Sequence, residues 1–290
     1  MGYGDELMAS ADLARLQAAN PGARIVIGDG VHEVTSTCDA VFDGNPHRAR
    51  LADVRPGECV VWLKNYYGCR PYLDYAHGDG GVRQAFTAYR AAPGELYLSA
   101  AEQAGAAAAL RPLQERGAPL VSIEPHAAFG PNKQWGLAKW NAVVEARRDR
   151  VSFVQPSYGE PLLAGVRGVP STFRSYCAIL ARCAVHVGPE GGLHHAAAAL
   201  ARPAVVLFGG RIHPRTTGYD FHLNLYVDAT DSPCGMVAAC DHCRRCLDAI
   251  PIEAVIDGID RFIAHLPTAV PAPARRAASH AGGAAQSPRG

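Results

Sequence analysis

An α/β fold built on parallel sheets is what this 290-residue sequence predicts. Three observations carry the prediction. Short β-branched runs alternate with Ala/Leu-rich helical stretches, the pattern of parallel strands joined by crossover helices. An Ala-rich, then Pro/Gly-punctuated break at Ala104–Gly117, read as a connecting helix plus linker, separates two halves of similar texture. The alternation is cleaner after residue 117 than before it.

The elements follow in order. Asp5–Ala18 has helical composition, and Arg24–Gly28 (RIVIG) reads as a strand. Glu58–Leu63 (ECVVWL) reads as a second strand and Glu95–Ser99 (ELYLS) as a weaker third. After the break come strands at Pro119–Ile123, Val151–Gln155, Ala184–Val187 and Ala204–Phe208. Helices are predicted at Gly136–Ala146, Thr172–Cys183 and Gly192–Ala201. This divides the chain into an N-terminal unit (1–110), a C-terminal unit (117–266) and a Pro/Ala/Gly/Ser/Arg tail (267–290) with the composition of disorder.

Composition narrows the function classes. Lys+Arg is 28 against Asp+Glu 27, so nothing in the net charge of +1 draws the chain to nucleic acid. No run approaches the ~20 apolar residues of a membrane span. Membrane contact is therefore expected to be peripheral at most. The start, MGYGDELMAS, lacks the basic and apolar segments of a signal peptide, and nine cysteines make an odd number. Both point to the cytoplasm. No GxSxG elbow, Walker A loop, HExxH or EF-hand loop occurs.

Four segments could carry chemistry. At Val185–Gly210 a strand runs into Gly188-Pro189-Glu190-Gly191-Gly192 and then a helix. Free N–H groups at such a helix start suit a phosphate, and glycines let it approach the backbone. His195, ahead of His194, would reach a phosphate or sugar hydroxyl. A plain strand–turn–helix packed through small residues is the competing reading. At Ile123–Trp140 a Gly/Pro/Asn loop carries Lys133 beyond a strand end, where an anion would bind; a solvated surface lysine is the alternative. Trp135 and Trp140 read as packing residues. At the start, Gly2-Tyr3-Gly4-Asp5 lacks the third glycine of a dinucleotide fingerprint, and Asp5 could simply cap a helix. Finally, Cys234-x5-Cys240-x2-Cys243-x2-Cys246 has spacing suited to a structural zinc or iron. Free thiols or one redox-sensitive pair remain open there.

Taken together, GYGDELMASADL, FGPNKQW and VGPEGGLHHAAAALARPAVVLFGG resemble, in order and spacing, the G-D loop, K-x-W segment and D-[ST]-G-x-x-H-x-A-A-A-L block of family 9 glycosyltransferases, the ADP-heptose heptosyltransferases. The resemblance implies a GT-B fold, two Rossmann-like domains facing a cleft, with acceptor on the N-terminal side and nucleotide sugar on the C-terminal side. It implies inverting transfer that needs no cofactor or metal for the chemistry. The donor would be ADP-heptose, and the acceptor a glycan such as lipopolysaccharide core, a protein or a small molecule. Carried over by motif, Asp5 would be the general base and Lys133 would hold the diphosphate leaving group. Glu190 would contact the donor sugar, Gly191, Gly192 and His195 would cradle the diphosphate, and Glu160 would bind the ribose. Some relatives carry a cysteine-bound iron late in the chain, which the Cys234–Cys246 cluster resembles in position.

The chain departs from the family in three ways. The strand before the G-D loop is missing, Glu190 replaces Asp, and the N-terminal half is short. A nucleotide-sugar epimerase-like enzyme and a non-catalytic sugar-nucleotide binder are the alternatives.

Overall fold

The computed structural model describes residues 2–34, 39–66, 69–78, 81–126, 130–159 and 163–266. The disorder expected of 267–290 thus falls outside the described residues.

The C-terminal region follows the prediction closely. Strands β5 (Leu120–Ile123), β6 (Ser152–Ser157), β7 (Arg167–Pro170), β8 (Val185–Pro189), β9 (Ala204–Phe208) and β10 (Leu223–Tyr226) form one six-stranded sheet, ordered β10-β9-β8-β5-β6-β7. Every pairing in it is parallel. Strands β5, β8 and β9 are buried along their whole length, because helices cover both faces. That is why β9 reads as an unbroken apolar run, while β5 and β8 each carry one buried polar residue, Ser122 and His186, which bond each other at 3.0 Å. The chain passes from β5 outward through β6 and β7, then returns to lay β8 on the other side of β5. The reversal opens a crevice at the carboxyl ends of β5 and β8, the usual ligand position in such sheets.

On one face, α3 (Leu137–Arg147) and α8 (Ile252–Ala264) pack through Trp140, Val143, Val255 and Ile259 onto Val121, Val185, Val205 and Leu207. Trp135 and Trp140 meet edge to face at 4.7 Å in this core, as packing residues. On the other face lie α4 (Phe173–Leu180) and α5 (Gly192–Ala199). Their core, with Tyr176, Leu180, Leu193 and Ala196, continues into Leu7, Leu13, Ile25 and Leu110 of the N-terminal half. The two halves share that core.

The N-terminal half departs further from expectation. Helix α1 (Tyr3–Ala19) precedes β1 (Arg24–Ile27), which pairs in parallel with β2 (Val60–Leu63). Among the described residues this parallel sheet has two strands. An antiparallel hairpin, β3 (Leu73–Gly78) and β4 (Gly81–Phe86), forms a separate sheet that the sequence reading did not contain. The strand expected at Glu95–Ser99 does not form. Side chains satisfy that segment instead of a ladder. Ser10 Oγ accepts from Glu95 N at 2.7 Å, Arg174 donates to Tyr97 O, and Ser99 caps α2 (Ala100–Gln114). This helix is the connecting helix read at 104–117, beginning four residues earlier. Strands β7 and β10 and helices α6 (Pro214–Thr217), α7 (Asp241–Asp248) and α8 are also additions to the sequence reading.

Candidate functional site

The motif residues converge where α1 lies across α5. Helix α1 approaches so closely that a Cβ on Gly4 would stand 2.7 Å from the His195 ring. Only glycine permits this contact, and it sets Asp5 beside the β8–α5 turn. Asp5 is buried and accepts from Gly2 N at 2.9 Å, so it does close the first turn of its helix as a cap would. It also accepts from the Tyr72 hydroxyl and faces Arg70 Nη2 at 3.6 Å. Burial, and next the negative charge of Asp5, hold the Tyr72 phenol far above its usual range, so it remains a donor.

On the other side of the cluster, Gly130, at φ 113°, admits a tight turn at Pro131–Lys133 that points Lys133 at the strand ends. Lys133 is not a solvated surface charge: its Nζ forms an ion pair with Glu190, both side chains largely buried. Burial raises the Glu190 carboxyl, but the attraction of Lys133, with His195 behind it, outweighs this and holds it well below the usual range.

The two histidines have different jobs. His194 Nδ1 accepts from Gly191 N at 3.0 Å and Nε2 donates to Thr217 O at 2.9 Å. Burial keeps it neutral, with its pKa well below normal. Both ring nitrogens are committed, so it braces the turn. His195 pairs through Nδ1 with Tyr219 Oη at 2.7 Å, and its Nε2 stands 3.9 Å from Glu190. Glu190, His194 and His195 place ligand atoms within 4.8 Å of one another, with both ring nitrogens of His194 hydrogen-bonded and Glu190 paired with Lys133. Gly191 N is taken by His194, so the first-turn donors left by helix geometry are those of Gly192 and Leu193. Tyr3 stacks on Phe173 at 3.8 Å and covers Gly192.

Of the predicted residues, Asp5, Lys133, Glu190, Gly191, Gly192 and His195 are thus brought into one cluster; Glu160 lies outside the described residues. Arg70, Tyr72, Tyr219 and Glu124 were missed. Glu124 directly follows β5 at the crevice. Its Cβ lies 3.3 Å from where one on Gly188 would stand. Burial pushes its carboxyl up to about 8, with Lys133 pulling it back. The rule that ligands meet parallel strands at their carboxyl ends could have found it. Two surface clefts, of about 360 and 490 Å³, contain none of the predicted site residues.

The cysteine cluster separates in space. The Sγ atoms of Cys234, Cys240 and Cys243 lie within 4.8 Å of one another, with Cys234 and Cys243 at 3.3 Å. Cys246 falls outside the group and turns to His242 Nε2 at 3.6 Å and Ser232 Oγ at 3.8 Å. Three converging thiols fit a thiophilic metal with one further position open. All eight cysteines among the described residues are free of disulfides.

No family model and no curated protein matches the sequence. Solved structures do. The chain superposes on the glycosyl transferase family 9 protein from Veillonella parvula DSM 2008 with a TM-score of 0.64 at 16% identity, covering 91% of this chain and 95% of that one. It superposes on TibC, the iron-containing dodecameric glycosyltransferase of enterotoxigenic E. coli H10407, with a TM-score of 0.56 at 13% identity, over 91% and 74%. Against E. coli ADP-heptose lipopolysaccharide heptosyltransferase II the match is partial. It has a TM-score of 0.45 at 19% identity, over 59% of this chain and about half (53%) of that one. The two fuller superpositions therefore give the chain the GT-B fold, the fold that the motif resemblance implies. No helix among the described residues is long and apolar enough to cross a membrane.

Proposed function

We propose that this chain is an inverting family 9 glycosyltransferase that moves a sugar, heptose, from ADP-heptose to a glycan, protein or small-molecule acceptor. The observation that carries the reading is the buried Lys133–Glu190 pair beside His195 at the β5/β8 crevice, with Asp5 delivered to it by α1. Residues 1–110 would form the acceptor side and 117–266 the donor side.

In this reading Lys133 exchanges its carboxylate partner for the donor diphosphate, while Glu190, freed, accepts from sugar hydroxyls. The Gly192 and Leu193 N–H groups add positive potential at the helix start. The donor reaches that turn by displacing the Tyr3–Phe173 stack. An acceptor hydroxyl replaces the Tyr72 hydroxyl as donor to Asp5. Asp5 takes its proton as the oxygen attacks the anomeric carbon, and the bond from that carbon to the diphosphate oxygen breaks. The charge gathering on departing ADP is met by Lys133 and the helix donors already aimed at it. A positioned carboxylate base contributes roughly 10²–10⁴-fold. Chemistry of this kind needs no cofactor. A zinc or iron held by Cys234, Cys240 and Cys243 would be structural. Glu160 is assigned the ribose by motif alone.

The test is calorimetry with ADP and ADP-heptose, and with UDP- and GDP-sugars as controls, on the wild type and Lys133→Ala. Selective ADP and ADP-heptose binding, lost in the variant, is expected. Absence of binding by any nucleotide would overturn the reading.

A further inference from the structure

The turn that carries Lys133 is tied to the cysteine loop by a single side chain. Asn132 is 3% exposed and spends its whole amide on that loop. Its Nδ2 donates to Met236 O at 2.9 Å and Ala238 O at 2.7 Å, and its Oδ1 accepts from Cys240 N at 2.8 Å. Its own carbonyl lies against Gly209, where a Cβ would come within 2.9 Å. The turn therefore has little room to shift without breaking these bonds.

The loop is also fastened elsewhere. Cys234 N donates to Gly210 O at 2.8 Å and Gly235 N to Arg211 O at 3.0 Å, both in the turn after β9. On the hairpin side, Gln84 N donates to Gly235 O at 2.8 Å. Cys240 is thus held at the start of α7, with Cys234 and Cys243 within reach of its sulfur. A change at those thiols, whether alkylation, oxidation or a metal, acts on the main chain whose N–H ends on Asn132. A change at Lys133 acts on the residue next to Asn132.

We infer that Asn132 is a positioning residue that couples the Cys234/Cys240/Cys243 cluster to Lys133, so that ligand at the lysine and the chemical state of the thiols influence each other. The inference rests on the reading of Lys133 as the diphosphate-binding residue. Coupling of this kind is reciprocal, and typical strengths are roughly 5–150-fold. A plain structural staple would lower stability when removed but would carry no signal between the sites.

The experiment is the rate of N-ethylmaleimide labelling at Cys234 and Cys240, read by mass spectrometry with and without saturating ADP; exposed Cys59 serves as the internal control. In the wild type ADP should slow labelling of Cys240 by about fivefold, at the low end of typical coupling, and leave Cys59 unchanged. Asn132→Ala should abolish the protection. Asn132→Asp keeps the acceptor for Cys240 N, loses both donors and should retain part of it. Equal protection in all three proteins, or none in a wild type that binds ADP, would overturn the coupling. A wild type that binds no ADP would sink the donor reading instead. The coupling is then decided by amide hydrogen exchange across residues 130–136. Labelling Cys240 should speed that exchange in the wild type and not in Asn132→Ala, and an unchanged rate in the wild type would overturn it.

Discussion

The two sides of the site are built differently. Glu190 directly follows β8 of the six-stranded sheet, and Lys133 ends a short turn between β5 and α3 that Asn132 ties to Met236, Ala238 and Cys240. Asp5 stands on a helix whose neighbours come from far along the chain: Tyr72 and Arg70 flank the β3–β4 hairpin, and His195 belongs to α5. The Lys133–Glu190 side is built on two βα turns of one sheet, with Asn132 as a long-range tie, and the Asp5 side on contacts between separate elements. Damage should therefore separate. Changes on the proposed donor side should act first through the Lys133–Glu190 pair, and changes on the proposed acceptor side through a network.

The sharpest separation is expected from Asp5→Asn. It keeps size, offers one acceptor oxygen where Asp5 uses two (for Gly2 N and the Tyr72 hydroxyl) and removes the proposed base, so transfer should fall by roughly 10²–10⁴-fold. ADP affinity should stay near the wild-type value. A joint loss of ADP binding and transfer would show that Asp5 belongs to the donor side, and the contrast would fail.

Lys133→Ala tests the other side. It leaves the buried Glu190 carboxylate without its cation, which typically costs about 3–5 kcal/mol. Chemical denaturation should show this loss, and Lys133→Ala combined with Glu190→Gln should recover much of it. A double variant no more stable than Lys133→Ala would mean that the ion pair is not what the stability rests on.

How much was legible follows the same division. The run AVVLF is buried on both faces, so its apolar continuity marks it as a strand of a covered sheet, and LVSI shows the same burial with one polar residue, Ser122. Lys133 and Glu190 drew notice as candidates because strand ends in parallel sheets are where ligands meet the fold. Glu124 occupies such an end too, yet no charge or glycine pattern beside it drew notice. Tyr72 and Arg70 were invisible, since their contact with Asp5 spans more than sixty residues of chain. The hairpin had a signal that went unread: Asp79-Gly80 separates LDYAHG from GVRQAF, and Asp-Gly between two strand-like runs marks a two-residue hairpin connection. Glu95–Ser99 misled because its β-rich composition is served by Ser10 and Arg174 rather than by a neighbouring strand. Cysteine spacing alone suggested four ligands, whereas the start of α7 turns Cys246 away from the other three.

A gentler probe of the donor side is pH. Glu124 titrates at about 8 in the folded chain against an ordinary value near 4.5, because burial disfavours its charge more than Lys133 favours it. Between those values the folded state holds a proton that the unfolded state lacks. This contribution to stability is fully present below about 4.5 and is lost as pH rises toward 8. One such group gives a slope of at most about 1.4 kcal/mol per pH unit. Comparing denaturation of the wild type and Glu124→Gln from pH 5 to about 8.5 isolates it, and the difference should grow in favour of the variant as pH rises. Parallel curves would place Glu124 in water rather than in the crevice.

The smallest effect asks whether the N-terminal network extends beyond the site. Ser99 accepts from Glu102 N at 3.2 Å, and Glu102 returns a contact to Ser99 N at 2.7 Å, closing a capping box on α2. Glu102 is also the carboxylate that Arg174 of α4 holds, while Arg174 donates to Tyr97 O. The cap on α4 is simpler, a reciprocal exchange between Thr172 and Ser175. Ser99→Ala and Thr172→Ala should each cost about 1 kcal/mol. Their coupling to Arg174→Ala should differ. Removing Arg174 frees the Glu102 carboxylate to reorganise around the Ser99 cap, so Ser99→Ala and Arg174→Ala should be non-additive by at least ~0.5 kcal/mol. Thr172→Ala and Arg174→Ala share no hydrogen-bond partner and should depart from additivity by less than that. Additivity in both cycles would mean that the N-terminal half is held by independent contacts, and that the long-range wiring is confined to the surroundings of Asp5.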